Sequence, residues 1–193
     1  GDSVDEDMYQ SETTPMHPVS PYGCAKLYGY HIVRNYRKAY GIFAANGILF
    51  NHESPRRGSN FVTSKIVKTA CEIALGRKNK LELGNMDSSR DWGHSKDYVR
   101  AMVMILNHKV PDDFVISTGS THTVRELVQK VFERLDMNYQ DYTVQNPKFL
   151  RPEELPYLRG DPSKAKNLLL NGLDTSQVIN MENMFAGSAA ETI

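Results

Sequence analysis

The chain has 193 residues, of which 40% are hydrophobic and 24% are charged, and its formal net charge is zero. A chain of this size can bury a core as one large domain or two small ones. Its neutral charge gives no reason to expect nucleic acid or an anionic membrane as a partner. The two cysteines fit neither a disulfide framework nor a metal site. With no apolar run of membrane-spanning length and no signal-peptide pattern, we expect a soluble cytoplasmic protein without a metal.

The first predicted helix begins within the segment S-P-Y-G-C-A-K, residues 20–26. Ser20 is a suitable N-cap, and Pro21 is tolerated in a first helical turn. The helix should end near Tyr40, because Gly41 can adopt the left-handed conformation of a residue that follows a helix. Apolar side chains at helical spacing form an apolar stripe on this helix, made of Leu27, Tyr30, Ile32, Val33 and Tyr36. Cys24 is expected to be a small packing residue on the same helix.

Strands and helices alternate after this helix. The apolar segment 43–50 predicts a buried strand, and 51–60 is expected to be a loop. Thr123, three residues before Glu126, predicts a capping box. The further predicted elements are a helix at 61–76 ended by Gly76, a strand at 81–84, a loop or isolated strand at 88–94, a helix at 95–106, a strand at 113–119, a helix at 123–135, an irregular segment at 139–160 and a helix at 161–170. This alternation is typical of an α/β fold with parallel strands.

Tyr22 and Lys26 are four residues apart and therefore share one face of the predicted helix, with Cβ atoms ~5–6 Å apart. The positive charge of Lys26 would favour the phenolate and lower the pKa of the tyrosine, which would let it act as a base. The spacing is weak evidence by itself, because the chain has 10 tyrosines and such pairs arise by chance. A half-buried tyrosine beside a solvated lysine is the alternative interpretation.

The segment N-H-E-S-P-R-R-G, residues 51–58, follows a predicted strand directly. Loops at the carboxyl ends of parallel strands hold ligands in open α/β sheets. Arg56 and Arg57 could clamp a phosphate group, although a solvated basic turn is equally compatible with the sequence. Arg90 and Arg151 have the same ambiguity.

Other polar and aromatic residues have simpler interpretations. Asp91 is expected to pair with a nearby arginine, and Trp92 is expected to lie in the core. The histidines are scattered without the spacing of metal ligands. The glycines form neither a G-x-G-x-x-G nor a G-x-x-G-x-x-G turn, the pattern that seats the pyrophosphate of a dinucleotide.

Four segments taken together resemble the GDP-mannose 4,6-dehydratase family of extended short-chain dehydrogenases/reductases. They are S-P-Y-G-C-A-K at 20–26, N-H-E-S-P-R-R-G at 51–58, R-D-W-G-H-S-K-D-Y-V at 90–99 and L-R-P-E-E-L-P-Y-L-R-G-D-P-S-K-A at 150–165. The resemblance implies a partial Rossmann-like doubly wound sheet with a smaller α/β substrate-binding domain. Residues 1–60 would belong to the NADP-binding domain, 61–171 mainly to the substrate domain with 95–119 returning to the Rossmann sheet, and 172–193 would form a tail.

The resemblance also implies roles for individual residues. Tyr22 would be the catalytic base, and Lys26 would lower its pKa and contact the nicotinamide ribose. His52 and Arg57 match positions that contact NADP. Positions that hold GDP-mannose, with the basic residues at the diphosphate and the glutamate at the nucleoside, are matched by Asn51, Val62, Lys65, Leu83, Gly84, Arg90, Arg151 and Glu154.

In the family reaction the tyrosine removes a proton from the 4-hydroxyl of the sugar while hydride passes from C4 to NADP⁺. A glutamate then removes the C5 proton, water leaves from C6, and the hydride returns to C6. The family's nucleotide half and this glutamate have no counterpart in the sequence, and Gly1 resembles the glycine that ends the glutamate motif. We therefore expect negligible activity from this chain alone.

Two alternatives remain open at the level of sequence. The chain could belong to another nucleotide-sugar epimerase or reductase of the same superfamily, or it could be a non-catalytic binding or assembly module. Family members dimerise through the helix that carries the tyrosine and can form tetramers, so we expect a homodimer or homotetramer of the full-length protein.

Overall fold

The computed structural model describes residues 9–150 and 153–169. Helices and short strands alternate along these residues, as the sequence predicts. In chain order the elements are α1 (Pro21–Tyr40), β1 (Asn46–Leu49), β2 (Asn51–Glu53), α2 (Val62–Ala74), β3 (Leu81–Leu83), β4 (Ser89–Arg90), β5 (Trp92–His94), α3 (Ser95–Leu106), β6 (Asp113–Ile116), β7 (His122–Thr123), α4 (Val124–Glu133), α5 (Tyr139–Tyr142), β8 (Thr143–Gln145), a 3₁₀ turn (Pro147–Phe149) and α6 (Ser163–Leu169).

Most of the strand pairs are parallel. β1 pairs with β6, β2 with β5 and β3 with β8 in parallel, whereas β4 and β7 are antiparallel. The backbone N–H of Phe50 donates to the carbonyl of Ile116 at 3.0 Å. The hydrogen bonding of β1 with β6 therefore continues past Leu49, after which the chain changes partner from β6 to β5. Parallel strands joined through helices confirm the predicted α/β class.

Two apolar clusters form the core of the described residues. The first packs α2 and α4 around β3 and contains Trp92, whose predicted core position is confirmed. Its buried members are Ile66, Ala70, Ile73, Leu81, Leu83, Met86, Trp92, Val124, Leu127, Val128 and Phe132. The second cluster joins α3, β6 and α6 through Tyr98, Ala101, Ile105, Phe114, Ile116 and Ala165.

Helix α1 begins and ends as predicted. The Ser20 hydroxyl accepts a hydrogen bond from the N–H of Gly23 at 3.0 Å, and Gly41 adopts φ 63°. Every residue of α1 is half-buried or exposed among the described residues, the apolar stripe included. The expected packing role of Cys24 is wrong, because this cysteine is exposed. Helical periodicity reveals that a helix has an apolar face, but it does not reveal what covers that face.

Polar contacts hold α1 against β1 and β6. The buried carboxylate of Asp113 accepts hydrogen bonds from the Tyr30 hydroxyl at 3.2 Å, from Arg37 at 3.0 Å and from the Asn46 amide at 2.8 Å. Arg37 also donates to the carbonyl of Ala44 at 2.9 Å. This network places the helix relative to the sheet without a buried apolar seam.

Several element boundaries differ from the prediction. Residues 51–53 form β2 rather than a loop, since their pairing with β5 is a tertiary contact that a polar sequence does not announce. The segment 139–160, predicted to be irregular, contains α5, β8 and the 3₁₀ turn. The capping box of α4 and the left-handed Gly76 after α2 are confirmed.

None of the helices in the described residues is both long and apolar enough to cross a bilayer. The predicted tail, 172–193, and Gly1 lie outside the described residues.

Candidate active site

The two residues of the predicted proton-transfer pair lie in the first two turns of α1. The Lys26 ammonium is 5.8 Å from the centroid of the Tyr22 ring, so the helix places them on one face as the spacing predicts. Tyr22 is 73% exposed, and Lys26 is exposed as well. A phenol with a cation beside it and open access can meet a substrate hydroxyl.

His52 is held in place in the middle of β2. Its Nδ1 lies 2.9 Å from the carbonyl of Phe50, and its ring stacks on Tyr98 with centroids 4.6 Å apart. Tyr98 itself is buried, and burial raises the pKa of its hydroxyl well above the ordinary range. A Cβ at Gly93 would come 2.4 Å from the Tyr98 ring, so glycine is required there for the tyrosine to support His52.

Arg57 lies in the loop after β2 and contacts a buried carboxylate. Its Nε is 3.1 Å from Oε2 of Glu53, and its guanidinium carbon is 3.5 Å from the centroid of the Phe61 ring. The hydroxyl of Thr63 donates to the same Glu53 oxygen at 2.8 Å. Burial raises the pKa of Glu53, although the Thr63 hydrogen bond and the charge of Arg57 act in the opposite direction.

A second group of predicted ligand contacts meets around Phe149. The Lys65 ammonium lies 3.9 Å from the centroid of the Phe149 ring, and burial lowers the pKa of Lys65. A Cβ at Gly84 would come 2.4 Å from the Phe149 carbonyl oxygen, so the two backbones touch. Val62 is the first residue of α2, one turn from Lys65, whereas the Leu83 side chain is buried in the first core.

Arg90 and Glu154 contact each other. Their ion pair measures 3.1 Å between Nη2 and Oε1, and both side chains are largely shielded from solvent. The resemblance assigns them to different ends of GDP-mannose, the diphosphate and the nucleoside. Arg151 lies outside the described residues.

Asp91, next to Arg90, is fully buried and holds three segments together. One carboxylate oxygen accepts hydrogen bonds from the N–H and hydroxyl of Thr118 at 2.8 and 2.6 Å. The other accepts from the N–H groups of Gly119 and Gly160 at 3.0 and 3.2 Å. The predicted pairing of Asp91 with an arginine is therefore wrong. Burial raises the pKa of Asp91, and the four hydrogen bonds only partly counter it.

The structure thus gathers the predicted residues into smaller groups. β2 and β5 bring residue 51 opposite residue 92, so the N-H-E and R-D-W segments are adjacent. Sequence reasoning missed the residues that support them, namely Glu53, Thr63, Tyr98 and Phe149. A carboxylate directly after a predicted strand was a usable signal for Glu53, while the contact at Phe149 depends on a fold that no local pattern encodes.

The groups at the end of β2 suit a phosphate-bearing aromatic ligand. Arg57, in the loop after β2, offers a cation on a side chain that is 32% exposed. His52, within β2, offers a ring whose position is fixed by its contacts with Phe50 and Tyr98. Both features match what NADP requires of its binding residues, an anion partner and an aromatic surface. Within residues 9–150 and 153–169, no three His, Cys, Asp or Glu side chains are arranged to hold a metal ion.

Comparison with known proteins gives the family. The GDP-mannose 4,6 dehydratase family matches residues 2–171. A GDP-mannose 4,6 dehydratase of Drosophila melanogaster is 49% identical over 177 residues, 83% of this chain and 45% of the relative. One of Homo sapiens is 48% identical over 181 residues, 85% of this chain and 49% of the relative. The chain thus spans about half the length of the curated relatives it matches.

Solved structures share the fold at lower identity. The structure of RMD from Pseudomonas aeruginosa, complexed with NADPH, superposes with a TM-score of 0.77 at 22% identity. This match covers 87% of this chain and 55% of the RMD chain. A dTDP-glucose 4,6-dehydratase from Bacillus anthracis in complex with NAD gives a TM-score of 0.74 at 24% identity. This match covers 86% of this chain and 51% of the dehydratase chain. At such identities the match concerns the fold alone. The family match and the curated relatives together show that this chain belongs to the GDP-mannose 4,6-dehydratase family.

Proposed function

We propose that this chain is the C-terminal part of an enzyme that converts GDP-mannose to GDP-4-keto-6-deoxymannose. The observation that carries the proposal is the 49% identity to a named GDP-mannose 4,6 dehydratase across most of the chain. The pairing of β2 with β5 supports it, because this pairing brings together the two most specific segments of the family resemblance.

We propose NADP as the cofactor, held by Tyr22, Lys26, His52 and Arg57. The RMD structure of the same fold was complexed with NADPH. The bound nicotinamide would accept hydride from the sugar and return it within one turnover. Arg57 would meet a phosphate oxygen with its terminal nitrogens, because its Nε is buried 3.1 Å from Glu53 whereas the side chain as a whole is 32% exposed.

The residues of α1 would handle a proton. The Tyr22 hydroxyl oxygen would remove the proton from the sugar 4-hydroxyl, and the Lys26 ammonium on the same helix face would favour the phenolate that this requires. The exposure of both side chains in the described residues leaves room for the substrate.

The substrate-binding residues would act through charge and shape. Lys65 and Arg90 would meet the diphosphate, and Glu154, Val62 and Asn51 would line the nucleotide. The ion pair of Arg90 with Glu154 neutralises one cation of this set, so an incoming diphosphate would compete with the glutamate for the arginine. Arg151, Leu83 and Gly84 complete the set that the resemblance implies.

The domain division is part of the same proposal. Residues 1–60 would belong to the NADP-binding domain and 61–171 mainly to the substrate domain. The parallel pairing of β6 with β1 supports the assignment of 95–119 to the first of these. The exposed apolar side chains of α1, including Tyr28 and Tyr36, support a homo-oligomer that uses this helix.

The experiment that tests the function uses the native protein from its source. Its intact mass and its NADP-dependent conversion of GDP-mannose are measured together. Changing Tyr22→Phe should lower turnover by roughly 10²–10⁴-fold, the usual contribution of a general base. Tyr28→Phe, on the same exposed helix, is the matched control and should retain full activity. A native protein that leaves GDP-mannose unchanged, or a Tyr22→Phe variant as active as the control, would contradict the proposal.

A further inference from the structure

A buried carboxylate lies between the predicted cofactor and substrate contacts. Glu53 is the last residue of β2 and is 3% exposed. It belongs to neither set of predicted ligand contacts. As a buried charge it requires partners, since an unpaired carboxylate in a protein interior is strongly unfavourable.

The partners of Glu53 come from both ends of the following loop. Arg57, four residues later, places its Nε 3.1 Å from Oε2, and Thr63 in the first turn of α2 donates its hydroxyl to the same oxygen at 2.8 Å. Backbone hydrogen bonds close the loop between them, from the N–H of Arg57 to the carbonyl of Ser54 at 2.9 Å and from the N–H of Phe61 to the carbonyl of Gly58 at 3.1 Å. One carboxylate therefore joins β2, the loop and α2.

The second contact of Arg57 is with an aromatic ring. The guanidinium carbon lies 3.5 Å from the centroid of the Phe61 ring, a cation–π contact of the kind that arginine makes with aromatic faces. The Nε atom is buried and makes no hydrogen bond among the described residues, so Glu53 holds it by charge at 3.1 Å and not by a directed N–H bond. The side chain as a whole is 32% exposed, so its accessible surface lies on atoms other than the buried Nε.

We infer that Glu53 is a positioning residue that orients Arg57 to receive a phosphate group of the nucleotide cofactor, an inference that rests on the proposed function. Glu53 pairs with the guanidinium at its buried Nε and leaves the exposed part of the side chain for the ligand. Through Thr63 the same carboxylate sets the start of α2, which carries Val62 and Lys65. The loop 54–60 thereby presents a preorganised anion site, and preorganisation lowers the cost of binding.

The first test uses NMR of the Arg57 Nε–H group in the 193-residue chain. Because Nε is buried beside Glu53, its proton should exchange with solvent at least 10-fold more slowly than that of Arg100, whose side chain is 58% exposed and 3.9 Å from Asp97. Inorganic pyrophosphate is then titrated as the probe and should shift the Arg57 signal. Equal exchange rates at Arg57 and Arg100 would overturn the inference without any variant.

The second test removes the charge of Glu53 while keeping its size. Glu53→Gln should weaken pyrophosphate binding at Arg57 by about 5- to 10-fold, an effect of roughly 1–1.4 kcal/mol, and should remove the slow exchange. Glu72→Gln is the matched control, because it removes a charge from an exposed pair with Lys78 and should leave both quantities unchanged. Thr63→Ser keeps the hydroxyl that donates to Glu53 and removes only a methyl group. Pyrophosphate binding and proton exchange in this variant should match the unchanged chain, which separates the effect of the hydrogen bond from that of packing.

The outcomes distinguish this inference from the proposed function. If Glu53→Gln binds pyrophosphate like the unchanged chain, or if pyrophosphate leaves the Arg57 signal in place, the inference fails. GDP-mannose turnover by the native protein would in that case still support the proposed function. If the native protein does not convert GDP-mannose, but the Arg57 signal shifts with pyrophosphate and its Nε proton exchanges slowly, only the proposed function is refuted. Glu53 then keeps its positioning role.

Discussion

Replacing Asp91 by asparagine tests how the R-D-W-G-H segment is held. The side chain is fully buried and receives two hydrogen bonds on each carboxylate oxygen. In Asp91→Asn the amide oxygen can keep the two bonds from Thr118, but the amide nitrogen then faces the N–H groups of Gly119 and Gly160. A hydrogen bond to a charged group contributes about 1.5–3 kcal/mol. Losing two of them would therefore cost about 3–6 kcal/mol.

Removing a buried charge offsets part of that loss, because desolvation already disfavours the ionised form of Asp91. We expect a net decrease of about 2–4 kcal/mol in the free energy of unfolding at neutral pH, a large part of the ~5–15 kcal/mol of a typical domain.

Urea unfolding is the assay, followed by the fluorescence of Trp92, the single tryptophan of the chain. Asp87→Asn is the control, because that carboxylate is exposed and pairs with Arg125 at the surface, where loss of an ion pair costs at most ~1 kcal/mol. If Asp91→Asn changes the free energy of unfolding no more than Asp87→Asn does, the carboxylate does not hold the three segments together and the reasoning is refuted.

Three further predictions concern pH, a backbone contact and a helix cap. Burial raises the pKa of Asp91 in the folded chain above its value in the unfolded chain. The contribution of Asp91 to the free energy of unfolding is therefore largest below the pKa of the unfolded chain and declines as pH rises through the pKa of the folded chain. In paired urea titrations, the stability difference between the unchanged chain and Asp91→Asn should be larger at about pH 4 than at about pH 7. Gly84→Ala should cost about 1–3 kcal/mol, since the new methyl would lie 2.4 Å from the Phe149 carbonyl oxygen, and an unchanged urea midpoint would contradict that close approach. Ser20→Ala should cost about 1 kcal/mol through loss of the Gly23 hydrogen bond, measured by thermal circular dichroism against Ser20→Asp, which should retain the cap.

Local chemistry in the sequence predicted the elements well where one or two residues decide the outcome. Ser20 caps α1, Thr123 and Glu126 form their capping box, and Gly41 and Gly76 take left-handed conformations. Each of these depends on hydrogen bonds or sterics within a few residues, so the sequence contains the cause. Such features also fix where helices begin and end.

Features that depend on distant partners were predicted poorly. Residues 51–53 are polar and look like a loop, yet they form a strand because β5 lies beside them. The spacing of α1 reveals its apolar stripe, but the helix is held by the Asp113 network, and the stripe is half-buried or exposed among the described residues. Periodicity depends only on the chain's own spacing, whereas burial depends on what the rest of the molecule brings to that face.

The candidate site shows the same division at the level of single side chains. Tyr22, Lys26, His52 and Arg57 stand out by residue type, because bases, cations and rings are what a nucleotide-sugar reaction needs. Glu53 does not stand out, although it contacts Arg57 directly. A residue that works by orienting another carries no chemical signature of its own. It becomes visible only when its burial and its two partners are known together, and the structure therefore adds most to the site through the residues that position the predicted ligand contacts.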